Sequence, residues 1–142
     1  PAKIYMGDAG SLFIGFMLSY LALKLKLTDS SVIPAAVVPP LLCSVAVFDT
    51  SLVIVSRLRA RRSPFQGGRD HAGHRLVRAG LSVPVAVGVH YYVAGGVCVL
   101  AFAVSRMDFV PAMVVAGLVM VTYLVVGRLL LRVSVYEAES SE

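Results

Sequence analysis

Charged residues are scarce in this sequence, and their scarcity excludes an ordinary soluble globular domain. Asp, Glu, Lys and Arg make up 15% of the 142 residues, whereas hydrophobic residues make up 58%. A soluble domain typically carries about 25% charged residues. The composition therefore predicts a chain that lies in a membrane.

Cysteine is also scarce, and this excludes two kinds of small stabilised domain. The sequence has 2 cysteines, Cys43 and Cys98, each inside an apolar run without a CxxC partner or a nearby cluster of metal ligands. Neither a disulfide framework nor a zinc site is therefore predicted. We interpret both cysteines as small residues of the protein interior.

The apolar runs lack the alternation of polar and apolar residues that strands of a membrane barrel require. They are instead close to the roughly 20 residues with which a helix crosses a bilayer. The sequence thus predicts an all-α, polytopic membrane protein with four transmembrane helices at residues 9–27, 32–56, 81–104 and 109–131. A basic loop, residues 57–80, lies between the second and third spans, and an acidic tail, residues 132–142, ends the chain.

The positions of the basic residues predict the orientation of the spans. Seven of the ten arginines fall between Arg57 and Arg78, which favours a membrane protein with one basic loop over a nucleic-acid binder with a basic face. No nucleic-acid partner is therefore expected. The N-terminus, this loop and the tail share one side of a four-span protein. By the positive-inside rule that side is the cytoplasm, so we expect a multi-pass protein of the cell inner (plasma) membrane. Lys3 alone precedes the first apolar stretch, which makes a signal peptide a poor interpretation.

The basic loop is predicted to contain a short helix that starts after Asp70 as N-cap and stops before Gly80. Four residues at i, i+3, i+4 and i+7 would then share one face: His71, His74, Arg75 and Arg78. An apolar face would consist of Ala72, Leu76 and Ala79. Imidazole and guanidinium groups on one face suit a diphosphate ligand, while the alternative is a topology signal that only holds anionic lipid headgroups.

Ionisable residues within membrane spans are candidates for function. Asp8, at the cytoplasmic mouth of the first span, is either a helix N-cap or a magnesium ligand or catalytic carboxylate. Asp49 is either a structural partner, as a buried pair with an arginine or a cap on a neighbouring helix, or a catalytic group. His90, near the middle of the third span, is expected to make an interhelical hydrogen bond.

Two stretches of the sequence resemble one family. Met6-Gly7-Asp8-Ala9-Gly10-Ser11 is similar to the MGDxGS motif of the polyprenyl-phosphate N-acetylhexosamine-1-phosphate transferases, a branch of which transfers N-acetylglucosamine phosphate to undecaprenyl phosphate. Phe48-Asp49-Thr50, Arg57, Ser63-Pro64-Phe65 and residues 69–76 resemble the later part of that family's pattern. The resemblance covers residues 1–80 by motif and the remainder by topology.

The resemblance implies a transferase that moves a sugar 1-phosphate from a UDP-sugar to a polyprenyl phosphate, releases UMP and serves cell-envelope polysaccharide assembly. Asp8 would be catalytic and bind Mg²⁺, with Mn²⁺ as the alternative cofactor. The nucleotide diphosphate would be bound by loop residues: His71, His74, Arg69 and Arg75. Four further positions would support the site: Gly7, Ser11, Asp49 and Arg57.

Two departures from the family pattern define what the chain is expected to lack. Gly73 stands where the family often has a third histidine, and the paired aspartates that precede MGDxGS in the family are absent. Residues 1–142 are therefore predicted to be the C-terminal part of a single transmembrane domain, inactive without its missing N-terminal helices. A homodimer is a further option. The rival hypothesis is a non-enzymatic membrane module, such as a transporter subunit or a lipid-binding scaffold.

Overall fold

The computed structural model describes residues 7–24, 32–65 and 68–135. Every regular element within these ranges is an α-helix, so the predicted all-α fold is confirmed. The helices are α1 (Gly7–Lys24), α2 (Val32–Arg59), α3 (Ala72–Arg78), α4 (Val83–Val104) and α5 (Phe109–Leu130). The glutamates of the predicted acidic tail lie outside the described residues.

Three of the described helices are long and apolar enough to cross a membrane, at Val37–Arg59, Val83–Val104 and Phe109–Leu130. The first predicted span, residues 9–27, overlaps α1, but its described apolar part, Ala9–Tyr20, is shorter than a full span, and residues 25–27 lie outside the described residues. Large apolar side chains on the outer faces of these helices are exposed, which is the expected arrangement where lipid rather than water surrounds the chain. The protein is a multi-pass membrane protein.

The prolines of α2 and α4 lie at different places along their helices. α2 runs through Pro39 and Pro40 and continues to Arg59, past the predicted end at Ser56. α4 begins at Val83, two residues later than predicted, with Pro84 in its first turn. A proline there costs no helical hydrogen bond, because the first N–H groups of a helix have no partner within it.

α2 is the central helix of the bundle and packs against both α4 and α5, while α3 packs against α4, α2 and α5. A small apolar cluster joins the three long helices at the end of the bundle opposite the basic loop: Val38, Leu41, Ala101, Val104 and Ala112. Closer to the loop, the Phe48 ring stacks on Tyr123 with 4.8 Å between ring centroids.

The interpretation of the two cysteines as interior residues is wrong, because Cys43 and Cys98 are both exposed on the outer surface of the bundle. In a membrane the apolar surroundings include the lipid, so an apolar sequence context does not distinguish a residue of the interior from one that faces outward.

Candidate functional site

The short loop helix α3 forms where it was predicted, but it begins one residue later than expected. Its N-cap is His71, with φ −63° and ψ 159°, and not Asp70. At the other end, the Gly80 N–H donates to the Val77 carbonyl oxygen and the Leu81 N–H to that of Leu76. This pair of bonds requires a left-handed residue after the helix, and Gly80 has φ 105°.

Asp70 is instead the partner of a buried arginine. Nε and Nη2 of Arg57 donate to the two carboxylate oxygens of Asp70 over 2.6 and 2.7 Å, and Nη1 donates to the Pro64 carbonyl oxygen over 2.8 Å. Arg57 and Asp70 are 7% and 3% exposed. This bidentate ion pair fixes the basic loop to the end of α2, which is where the loop departs from the membrane-spanning helix.

Arg75 is the second buried arginine, and it joins α3 to the ends of two other helices. Its Nε donates to the Asp70 carbonyl oxygen over 3.0 Å, and Nη1 donates to the carbonyl oxygens of Leu130 and Val133 over 3.1 and 2.9 Å. Nη2 donates to the Ser56 hydroxyl. The guanidinium thus binds the carbonyl oxygen of the last α5 residue, Leu130, and that of Val133 in the segment after the helix, where carbonyl groups lack the usual helical partners.

The prediction that four residues of α3 share one cationic face is therefore wrong for Arg75, which is 1% exposed. The predicted apolar face is also wrong in part, because Ala79 is exposed and Leu76 is half-buried. Arg75 and Ala72 occupy the inner side of the helix. Arg75 as a ligand of the nucleotide stays a prediction, and its observed contacts are with protein groups.

Asp49 lies on α2 beside the start of α3, and its carboxylate contacts two successive residues. Oδ2 accepts a hydrogen bond from Nδ1–H of His71 over 2.8 Å, and Oδ1 accepts one from the Ala72 N–H over 2.7 Å. Of the alternatives left open by the sequence, the structure shows a cap on a neighbouring helix. The carboxylate supplies the partner that the N-terminus of α3 does not find in its own N-cap side chain.

The remaining polar groups of α3 face outward. His74 and Arg78 are exposed, as is Arg69 just before the helix, and Arg78 donates to the Ser134 carbonyl oxygen over 3.3 Å. Asp70 is the one acidic residue in the sequence of the loop, residues 57–80, and its charge is neutralised by Arg57. The exposed surface of the loop is therefore strongly positive.

His90 lies in the part of α4 that packs against α3. An ideal Cβ on Gly73 would lie 3.6 Å from Cε1 of His90. Nδ1–H of His90 donates to the Ala86 carbonyl oxygen over 2.9 Å, so the observed hydrogen bond lies within α4, and the predicted interhelical one is not found among the described residues. The contact with Gly73 also places His90 near the basic loop, whereas the sequence predicted a position near the middle of the third span.

The stretch that resembles the MGDxGS motif is described by the structure from Gly7 onward. Gly7, with φ 67°, begins α1, Asp8 lies in its first turn, and Ser11 is exposed. The structure brings Asp49 and Arg57 together with the loop residues, while the position of the Asp8 carboxylate relative to them stays a prediction. Sequence reasoning missed Ser56 and the pairing of Arg57 with Asp70, for which no motif or spacing gives a signal.

Comparison with known proteins identifies relatives over most of the chain. A Bacillus subtilis protein named probable undecaprenyl-phosphate N-acetylglucosaminyl 1-phosphate transferase is 39% identical over 93 residues, which are 66% of this chain and 26% of that protein. The decaprenyl-phosphate N-acetylglucosaminephosphotransferase of Mycolicibacterium smegmatis is 37% identical over an alignment of 142 residues, covering 88% of this chain and 33% of its own length.

A third relative extends the similarity to another organism. The undecaprenyl-phosphate alpha-N-acetylglucosaminyl 1-phosphate transferase of Yersinia pestis is 29% identical over 126 residues, 88% of this chain and 34% of that protein. No protein-family model matches the chain, and no solved structure matches it significantly. This chain spans about a third or less of these curated relatives. Over the region that the alignments cover, it belongs to the family of polyprenyl-phosphate N-acetylglucosamine-1-phosphate transferases.

Proposed function

We propose that the chain forms part of an enzyme that transfers N-acetylhexosamine 1-phosphate from a UDP-sugar to a polyprenyl phosphate and releases UMP. The names of the relatives specify a polyprenyl phosphate and the N-acetylglucosaminyl 1-phosphate group. The basic loop lies on the cytoplasmic face of the plasma membrane in this proposal, in agreement with the positive-inside rule.

The observation that carries the proposal is the division of the loop's cations into buried and exposed groups. Arg57 and Arg75 are buried and bound to protein oxygens, so they hold the loop and α3 in place. Arg69 and His74 are exposed on the surface that these contacts fix. Because the backbone that carries these two side chains is already held in place, only the side chains themselves lose conformational entropy when they bind the oxygens of a phosphate ligand.

In this proposal Asp8 and a magnesium ion, or manganese in its place, act together. Among the described residues no group of three or more His, Cys, Asp or Glu side chains could hold a metal ion. Magnesium is commonly held by one or two carboxylates together with substrate phosphates, so an Asp8 carboxylate shared with a substrate diphosphate fits that donor set. The bound ion would neutralise charge on the diphosphate.

The test is sugar-phosphate transfer by membranes that contain the full-length gene product. Radiolabelled UDP-N-acetylglucosamine and polyprenyl phosphate are supplied, and the labelled lipid product and UMP are measured. Asp8→Asn is expected to lower kcat by at least about 100-fold, the lower end of what a positioned acid or base contributes. Asp108→Asn, at the exposed N-cap of α5 at the opposite end of the bundle, is the matched control and should transfer normally.

A second variant tests the loop itself. Arg69→Gln removes an exposed charged donor and is expected to raise KM for the UDP-sugar about tenfold or more, the equivalent of one charge-assisted hydrogen bond.

Retained transfer in Asp8→Asn would refute the role of Asp8. An unmodified gene product that transfers no sugar phosphate, in membranes where it is correctly inserted, would instead support the non-enzymatic membrane module.

A further inference from the structure

The contact between Asp49 and the start of α3 determines which nitrogen of His71 carries a proton. The two oxygens of the carboxylate accept from Nδ1–H of His71 and from the Ala72 N–H. An ionised carboxylate can only accept hydrogen bonds, so Nδ1 must be the donor. In the neutral imidazole the other nitrogen, Nε2, then carries the lone pair.

The rest of the His71 ring is available to a ligand. The His71 side chain is 50% exposed, whereas that of Asp49 is 28% exposed, and Nε2 makes no hydrogen bond within the part of the chain that the structure describes. His74 differs from it: its side chain is exposed, and no described residue bonds to its ring. The His71 ring is therefore held by Asp49, whereas no described residue holds the ring of His74.

We propose that Asp49 is a positioning residue that fixes the orientation and the tautomer of His71, so that Nε2 faces the substrate as a hydrogen-bond acceptor. The proposal rests on the transferase function proposed above. An acceptor nitrogen suits a proton-bearing group of the bound substrates, such as a sugar hydroxyl, an amide N–H or a phosphate hydroxyl. It does not suit an ionised phosphate oxygen, which needs a donor. His74, whose ring can present N–H in either direction, is then the better partner for ionised oxygens.

Replacing Asp49 by Asn is expected to change the tautomer of His71 while the hydrogen bond to the start of α3 is kept. Asn has one acceptor oxygen and one NH₂ donor in place of two acceptors. The Ala72 backbone N–H can only donate, so the amide oxygen stays with it and the cap of α3 is kept. The NH₂ group then faces Nδ1 of His71, which must become an acceptor, and the proton of the neutral ring moves to Nε2. Asp49→Asn thus turns the outward nitrogen from acceptor into donor.

The tautomer is measured by NMR of the full-length gene product carrying ¹⁵N-labelled histidine, at a pH where the ring is neutral. The resonances of His71 are assigned by their loss in His71→Gln. We expect Nδ1–H in the unmodified protein and Nε2–H in Asp49→Asn, with the His74 resonances unchanged. An unmodified protein with Nε2–H, or a variant whose His71 tautomer is unchanged, would overturn the proposal.

The effect on transfer is expected to be a fall in kcat/KM of between about tenfold and 10⁴-fold, the upper figure being the loss when a wrong histidine tautomer is imposed in serine proteases. Asp108→Asn is again the matched control. In the His71→Gln background, Asp49→Asn should cause no further loss, because a residue that acts through His71 has nothing left to act on. Additive losses would show a separate structural role and refute positioning.

Failure of this proposal differs from failure of the proposed function. If the unmodified gene product transfers no sugar phosphate, the transferase function fails, while the NMR measurement still reports whether Asp49 sets the tautomer. If transfer is present and Asp49→Asn changes kcat/KM less than twofold, the function stands and the positioning role is refuted.

Discussion

Replacing Asp70 by Asn is expected to lower the free energy of unfolding by about 3–5 kcal/mol, the usual cost of removing one partner of a buried ion pair. The Arg57 guanidinium donates to both oxygens of Asp70. Asn would keep one acceptor and turn an NH₂ group toward the other donor. Since Arg57 is 7% exposed, water cannot replace the lost acceptor without opening the loop.

The measurement is equilibrium unfolding of the full-length gene product in detergent micelles, followed by helix content and by proteolysis of residues 57–80. Asp108→Asn is the control, because that carboxylate is exposed. A loss below about 1 kcal/mol, as for an exposed pair, would refute the reasoning. The double replacement Arg57→Met with Asp70→Leu should recover most of the stability, because no unpaired charge remains buried.

Three glycine substitutions give further predictions for the same unfolding measurement. Gly127→Ala should cost about 1–3 kcal/mol, because the new Cβ would lie 3.3 Å from Cε2 of Phe48, and Phe48→Leu should recover part of that loss. Gly80→Ala should cost about 1–2 kcal/mol because φ there is 105°. Gly73→Ala should instead stabilise by up to about 1 kcal/mol, since its Cβ would meet His90 at the ordinary distance of 3.6 Å; a loss there would show that α3 and α4 pack more tightly than described.

The elements that sequence reasoning predicted are those governed by local physical chemistry. The long helices follow from apolar runs of membrane-spanning length, and the end of α3 follows from a glycine that alone adopts the required φ without strain. A cap on a neighbouring helix was one of the alternatives for Asp49, because a carboxylate is a common partner for the free N–H groups at a helix start, but the sequence did not show which helix it would cap.

The contacts that sequence reasoning missed are those between residues distant in the chain. Helical spacing grouped Arg75 with the histidines, but spacing cannot say which face meets neighbouring helices, and the carbonyl groups that Arg75 binds lie 55 and 58 residues further on. Likewise, Asp70 is a good N-cap by residue type, yet Arg57 at the end of α2 competes for it as a charged, bidentate partner.

The bonds from Arg75 to the end of α5 have a consequence for biosynthesis. The loop leaves the ribosome before α4 and α5, so at that moment the Arg75 guanidinium lacks the two backbone carbonyl acceptors that Leu130 and Val133 provide. These become available only after α5 has been inserted and has returned to the loop's side of the bilayer. α5 must therefore be integrated before the loop can reach its observed arrangement, so a chain that still lacks α5 in the membrane would not form the complete site.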